Sequence, residues 1–326
     1  MRRDARTPMT RPRVVFMGTP DFAVPSLRAV ARRCHVVAVM TQPDRPRGRG
    51  RKVGPSEVAQ AADELGIKVW KPETMKSAPL VAEIKDLSPD LFAVVAFGAI
   101  LTAEWLTLPR LGAINLHGSL LPDYRGASPV QRALWDGKSG TGVTTIWMDQ
   151  GIDTGDCILQ QWMPVEPEDT AETLAARLAL CGAPLLAESL MLAAAGTAPR
   201  FAQPREGTYA KKLTKHDGLI DWTADAVTVA NHQRAVTPWP GAMTGWGGRR
   251  LLILKCRPHD LLPVAAAPGT LVSLTAAGVR VACGRGSLEL LRVKPEGRSE
   301  MDANEWARGT RVTPGERMAW KEEGVS

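Results

Sequence analysis

Two polar side chains interrupt the apolar run AINLHGSLLP: Asn115 and His117, two residues apart. In a strand, alternate side chains point to one face, so the amide and the imidazole project together. Downstream, GIDTGD supplies a carboxylate at Asp153. An imidazole exchanges protons near neutral pH, an amide N–H holds a developing oxyanion, and a carboxylate orients the imidazole and stabilises its cation. Together the three suit transfer of an acyl-type group. No serine or cysteine occupies a nucleophile elbow: Ser119 stands in G-S-L, not G-x-S-x-G. Direct attack by a substrate amine therefore fits better than a covalent enzyme intermediate. The residues alone also admit plainer readings. His117 can be a satisfied structural histidine, and DTGD can be an Asx-turn. GTPDF lacks dinucleotide-fingerprint spacing, and Thr19 or Asp21 serves equally as a helix cap. Spacing thus specifies an α/β enzyme or binding protein with a polar site near 115–117.

The elements that must position this site are legible as alternation. RVVFMG (13–18), HVVAVMTQ (35–42), IKVWKP, LFAVVAFG (91–98) and GAINLHGS read as strands. Between them SLRAVARRC, SEVAQAADELG (56–66) and LVAEIKDLSPD read as helices. The pattern predicts a mostly parallel, Rossmann-like sheet with helices on both faces. Ligands on such sheets sit beyond the carboxyl ends of strands, where FMGTP and NLHGS both fall. A turn into a strand follows over 148–165, then a long amphipathic helix over 169–196 opened by Asp169 and Thr170. The last hundred or so residues hold short apolar segments between Gly and Pro turns and read as a small β-barrel or sandwich. Expected domains are a loose tail over 1–12, a catalytic domain over 13–196, a basic linker over 197–214 and the barrel over 215–326.

The 326 residues suit two domains. The formal net charge of +7 permits a nucleic-acid partner without proving one. Five scattered cysteines, none in a C-x-x-C pair, indicate neither a zinc site nor a disulfide framework, and a reducing compartment is the simple reading. The arginine-rich start is not a signal-peptide core, and the apolar run LFAVVAFGAIL is too short to cross a bilayer. TQPDRPRGRGRK (41–52) is strongly basic, with Arg45, Arg47, Arg49, Arg51 and Lys52 against Asp44. A second positive cluster comprises Arg205, Lys211, Lys212 and Lys215. Trp239, between Pro238 and Pro240, is expected to be a packing anchor.

Several stretches together carry a family resemblance. FMGTPDFAVPSL, TQPDRPRGRGRK, INLHGSLLPDYRGASPVQ, GVTTIWMDQGIDTGDCIL, YAKKLTKHDGLIDW, AVTPWPGA, PGTLVSL and VACGRGSLELLRVKPEG occur in order, within a match from about residue 13 to about residue 310. The chain resembles the 10-formyltetrahydrofolate-dependent formyltransferases, and among them the branch that acts on methionyl-tRNA. Departures are mild: Gly118 and Ser128 stand where alanine is frequent in that branch, and Thr237 where asparagine is frequent.

The resemblance implies a formyl group moving from folate N10 to the α-amine of methionine on initiator tRNA. It implies catalytic roles for Asn115, His117 and Asp153, and a folate-contacting segment of Ser119, Leu120, Leu121 and Pro122. Leu120 and Leu121 either offer apolar area to the pterin or simply pack in the core. Arg49 matches a tRNA-sensing arginine, with Arg45, Arg51, Lys211 and Lys212 as further phosphate partners. The terminal barrel would be of oligonucleotide-binding type. The implied co-substrate is 10-formyltetrahydrofolate, with no metal, no membrane, a cytoplasmic location and a monomeric chain. Two alternatives stay open: another formyl-folate enzyme, acting on a sugar amine or purine precursor or hydrolysing the formyl group, and a non-enzymatic RNA-binding protein on the same scaffold.

Overall fold

The computed structural model describes residues 11–47 and 52–319. These form two compact units. The first holds the described residues up to Gly126, with Thr141–Met163 and Ala175–Tyr209; the second holds Ala127–Gly140, Pro164–Leu174 and the described residues from Ala210 onward. The expected linker over 197–214 is thus divided between them after Tyr209.

The first unit is the expected α/β layer structure. Its strands are β1 (Arg13–Gly18), β2 (His35–Met40), the short pair β3 (Arg45–Arg47) and β4 (Lys52–Gly54), β5 (Val69–Trp70), β6 (Leu91–Val95), β7 (Ala113–His117), β8 (Arg125–Gly126), β9 (Gly140–Trp147) and β10 (Cys157–Pro164). Helices α1 (Val24–Arg33), α2 (Glu57–Glu64), α3 (Ala78–Asp86) and α4 (Ala103–Leu106) lie between the early strands. The main sheet runs β10-β9-β7-β6-β1-β2-β5. β5, β2, β1, β6 and β7 are parallel, and β9 is antiparallel to β7. β1 and β6 are buried almost throughout, as strands covered on both faces require.

Strand order reverses between β1 and β6, and the crevice at such a reversal is where α/β sheets take ligands. Thr19 ties this point together rather than capping a helix. Its hydroxyl donates to Phe97 O at 2.9 Å and accepts from Gln42 N at 3.3 Å. β3 and β4 form an antiparallel pair within the basic segment.

The 24-residue α6 (Ala171–Ala194) is long and apolar enough, by length and composition, to cross a bilayer. Here it is a core helix: Leu178, Leu186 and Leu190 are fully buried. Gly182 lets it approach Leu116 of β7, because a Cβ there would meet Leu116 Cδ2 at 2.7 Å. Ser189 and Thr145 exchange a buried hydroxyl bond at 2.7 Å. The helix thus braces the back of the strand that carries Asn115 and His117.

In the second unit, after β11 (Tyr209–Ala210) at the boundary, come α7 (Ala226–Ala235), β12 (Ala242–Trp246), β13 (Arg249–Asp260), β14 (Leu271–Leu274), β15 (Val279–Ala282), β16 (Ser287–Pro295), β17 (Met301–Asp302) and α8 (Ala303–Thr310). α5 (Pro129–Trp135) joins them and contacts α7. The antiparallel path is β12-β13-β16-β15-β14, with β17 added on β16. The closing segment bonds both edges: Leu271 N donates to Glu316 O at 2.8 Å and Ala319 N to Gly245 O at 3.1 Å. It thereby curls the sheet toward a barrel around Ile253, Val281, Leu288, Leu290, Val293 and Trp306. Trp239 is not the expected anchor: it is 54% exposed. The flanking prolines hold it in a surface turn, and the core is filled by Trp222 and Trp306 instead.

All five cysteines are free thiols. Burial pushes Cys34 up to about 11, against the pull of Arg33 and Arg11, and pushes Cys283 up to about 12. Both stay protonated where an exposed thiol ionises, and the thiolate is the reactive form. A thiol-reactive reagent at pH 8.5 should therefore leave Cys34 and Cys283 unmodified in the folded protein and reach them in denaturant. Equal labelling rates with and without denaturant would contradict this burial.

Candidate active site

β7 ends where β6 and β1 end. Asn115 pairs with Val94, one residue before the close of β6. Asn115 is half-buried and His117 is 5% exposed. Loop 148–156, between β9 and β10, brings the third residue over them. Asn115 Nδ2 donates to Asp153 Oδ1 at 3.3 Å, and His117 Nδ1 lies 3.5 Å from Asp153 Oδ2. One carboxylate thus reaches both candidates.

The other imidazole nitrogen settles the tautomer. His117 Nε2 is 2.8 Å from Tyr124 O, and a carbonyl only accepts, so Nε2 carries a hydrogen. Nδ1 is then the atom that takes up or releases a proton. An imidazolium would donate from Nε2 to Tyr124 and present Nδ1–H to Asp153. The amide of Asn115 has two hydrogens, and the bond to Asp153 uses one.

Asp153 is held at both ends. Its Oδ2 accepts from Gly126 N at 2.8 Å, and its carbonyl accepts from Gln203 Nε2 at 2.9 Å. Its φ of +55° is left-handed, a conformation that a non-glycine residue adopts only under surrounding constraint. The Asx-turn in this loop belongs to Asp149, whose Oδ1 accepts from Gly151 N and Thr154 Oγ1, both at 2.9 Å. Gly155 is required by a close backbone approach, since a Cβ there would fall 1.7 Å from Trp147 O. Exposed apolar residues stand on the neighbouring loops: Ile100 at 83% and Ile152 at 60%.

The segment 119–122 turns inward. Ser119 is fully buried, and its Oγ donates to Asp123 O. Thr144 Oγ1 donates to Ser119 O at 2.7 Å and accepts from Leu121 N at 3.1 Å, while Gln160 Nε2 donates to Leu121 O at 2.8 Å. The peptide bond between Leu121 and Pro122 is cis. Leu120 packs where Gly142 leaves room, and Leu121 clusters with Ile146 and Cys157. Leu121 also lines one wall of a cleft of about 440 Å³, opposite Phe201 and Gln203. Leu121 is thus buried while still lining the cleft, and Leu120 is half-buried.

Arg49 and Arg51 lie outside the described residues. Arg45 opens β3, opposite Gly54 of β4. Lys211 and Lys212 are exposed on the second unit. Ser128 is buried, and its Oγ accepts from Leu213 N at 3.3 Å. Among the described residues no group of three or more His, Cys, Asp or Glu could hold a metal ion. Sequence reasoning passed over Tyr124, Gly126 and Gln203. The first two act through backbone atoms and the third lies some fifty residues from its partner, so no residue-type pattern marks them.

Comparison with known proteins bears on this geometry. Residues 12–190 match the formyl transferase family, and residues 212–311 match the C-terminal domain of formyl transferases. A methionyl-tRNA formyltransferase of Pelotomaculum thermopropionicum is 45% identical over 304 residues, covering 93% of this chain and 97% of the relative. One from Geobacter metallireducens is 43% identical, covering 94% and 98%. In fold, the chain resembles an N-formyltransferase from Helicobacter canadensis solved with folinic acid and dTDP-3-aminofucose. That likeness has a TM-score of 0.64 at 20% identity and covers 85% of this chain and 98% of the other. Matched along nearly its whole length, the chain belongs to the formyl transferase family, in its methionyl-tRNA formyltransferase branch.

Proposed function

We propose that this enzyme transfers the formyl group of 10-formyltetrahydrofolate to the α-amine of methionine on initiator tRNA. The convergence of Asn115, His117 and Asp153 within 3.5 Å carries this reading, in a chain whose relatives bear that name. The neutral amine attacks the formyl carbon, a new C–N bond forms, the bond from carbon to N10 breaks, and the amine proton ends on N10. Asn115 donates its second N–H to the formyl oxygen as charge gathers there; one such donor is worth about 10²–10³ in rate. His117 relays the proton through Nδ1, because Nε2 is committed to Tyr124. Proton relay of this kind contributes about 10²–10⁴-fold. Asp153 holds the imidazolium that forms between the two transfers. Between proton relay and oxyanion partner, this arrangement favours proton relay for His117.

The folate lies across the loop ends beside Asn115, with Ile100 and Ile152 offering apolar area. Backbone groups near 97–99 and in the 119–122 turn, which Thr144 and Gln160 brace, meet the polar edge of the pterin. Arg45, Arg49, Arg51, Lys211 and Lys212 attract the tRNA backbone by releasing its counterions. Free thiols and this role in protein synthesis both favour the cytoplasm.

The deciding experiment gives the purified protein 10-formyltetrahydrofolate with either methionyl initiator tRNA or free amino sugars. Formyl-methionyl-tRNA is the expected product; formylated sugars with none on the tRNA would overturn the assignment. Asn115→Ala and His117→Ala should each lower kcat by about 10²-fold or more while tRNA still binds. Turnover within a few fold of the unaltered enzyme would remove them from the mechanism. Arg49→Ala should weaken tRNA formylation more than folate binding, and equal loss of both would count against a tRNA-directed role.

A further inference from the structure

Asp153 sits in a left-handed conformation, and its backbone alone does not keep it there. Gln203 does more than touch it. The Gln203 amide nitrogen donates to Asp153 O at 2.9 Å and to Gly155 O at 2.7 Å, straddling the crest of the loop. Both amide hydrogens are thereby used. The amide oxygen accepts from Arg125 Nε at 3.1 Å and Nη2 at 3.0 Å. That fork fixes which end of the amide faces the loop, since a guanidinium only donates. Arg125 is itself 3% exposed, and its remaining donors reach Pro204 O at 2.8 Å and Arg205 O at 3.3 Å.

The network closes on itself. Gly126, next to Arg125, donates its N–H to Asp153 Oδ2, and Tyr124, on the other side, accepts from His117. Thr208 holds this stretch from behind: its Oγ1 accepts from Tyr124 N at 2.8 Å and its carbonyl from Arg125 N at 2.8 Å. Residues 124–126 therefore fix the imidazole, the carboxylate and, through the Arg125 side chain, the amide that fixes the carboxylate's backbone. Gly207 completes the fit, since a Cβ there would come 2.6 Å from Pro122 O and 3.2 Å from Arg125 Cζ.

We propose that Gln203 and Arg125 are positioning residues for formyl transfer, clamping the 153–155 backbone so that the Asp153 carboxylate meets Asn115 and His117 together. This rests on the role assigned to Asp153 above. Neither residue touches the reacting atoms, and both act through Asp153. A buried guanidinium is costly to keep among neutral partners, and here it orders one side-chain amide and two carbonyls of the 203–205 segment.

The variant Gln203→Glu isolates the clamp. It keeps an acceptor for Arg125 and replaces the two donors by a carboxylate oxygen that repels the Asp153 and Gly155 carbonyls. Its kcat should fall at least tenfold, with the KM values for 10-formyltetrahydrofolate and methionyl-tRNA within threefold. Amide hydrogen exchange in loop 148–156 should quicken, while exchange in β7 stays as it was. In a double-mutant cycle, Gln203→Glu with Asp153→Asn should be no slower than Asp153→Asn alone, because both changes remove one function. Gln203→Met, which keeps length without either polar end, should behave alike if it folds. A kcat within twofold of the unaltered enzyme, unchanged exchange in the loop, or losses that multiply would each overturn the proposal. Exchange in the loop is read without any acceptor, so the clamp stands or falls separately from the identity of the tRNA substrate.

Discussion

The position of one carboxylate organises the candidate site. Asp153 lies 3.3 Å from the amide of Asn115 and 3.5 Å from the imidazole of His117, and without it those two side chains share only a strand. Two bonds hold it, one to its carboxylate from Gly126 and one to its carbonyl from Gln203. Its left-handed backbone is the local cost of aiming a side chain from an edge loop back toward the centre of the sheet. Stored strain of this kind persists only where the surroundings over-determine it, and the bonds around residues 124–126 and 203–208 do so.

The sheet explains why these residues can meet. β7 lies between β6 and the antiparallel β9: the β6–α4 loop follows beside its last residues, and loop 148–156 leaves β9 beside its first residues and reaches Asn115 and His117 through Asp153. Helix α6 supports it from behind where Gly182 meets Leu116, and bonds the neighbouring β9 through Ser189 and Thr145. A rigid strand thus carries Asn115 and His117, and a braced loop carries Asp153. That division suits a reaction in which a donor and an acceptor must both enter. The strand keeps Asn115 and His117 in place, while Ile100 and Ile152 stand exposed beside them.

Much of this was legible in the sequence because it depends on residue type. The apolar strands, the long helix after Asp169 and the polar pair in AINLHGS all declare themselves through pattern. The 197–209 stretch, with no helical or strand period, read as part of a linker. Its Gln203 and Thr208 are wall and clamp of the site, bonded to residues some fifty to eighty positions away. Backbone acceptors such as Tyr124 O carry no signature in a side-chain alphabet. Trp239 shows the reverse failure: a large aromatic between prolines suggests burial, yet Trp222 and Trp306 already fill the barrel core and Trp239 stays half exposed. Leu120 and Leu121, whose role the sequence left divided, differ in burial: Leu120 is half-buried over Gly142, and Leu121 packs with Ile146 and Cys157.

The central claim is that the formyl carbon reacts beside Asn115 and His117, under Asp153. A crystal structure of the enzyme with a stable analogue of 10-formyltetrahydrofolate tests it most directly. The account predicts the formyl oxygen about 2.7–3.1 Å from Asn115 Nδ2, with N10 on the Nδ1 side of His117 and Asp153 still bonded to Gly126 and Gln203. A formyl group seated in the cleft between Leu121 and Phe201, away from Asn115, would contradict it.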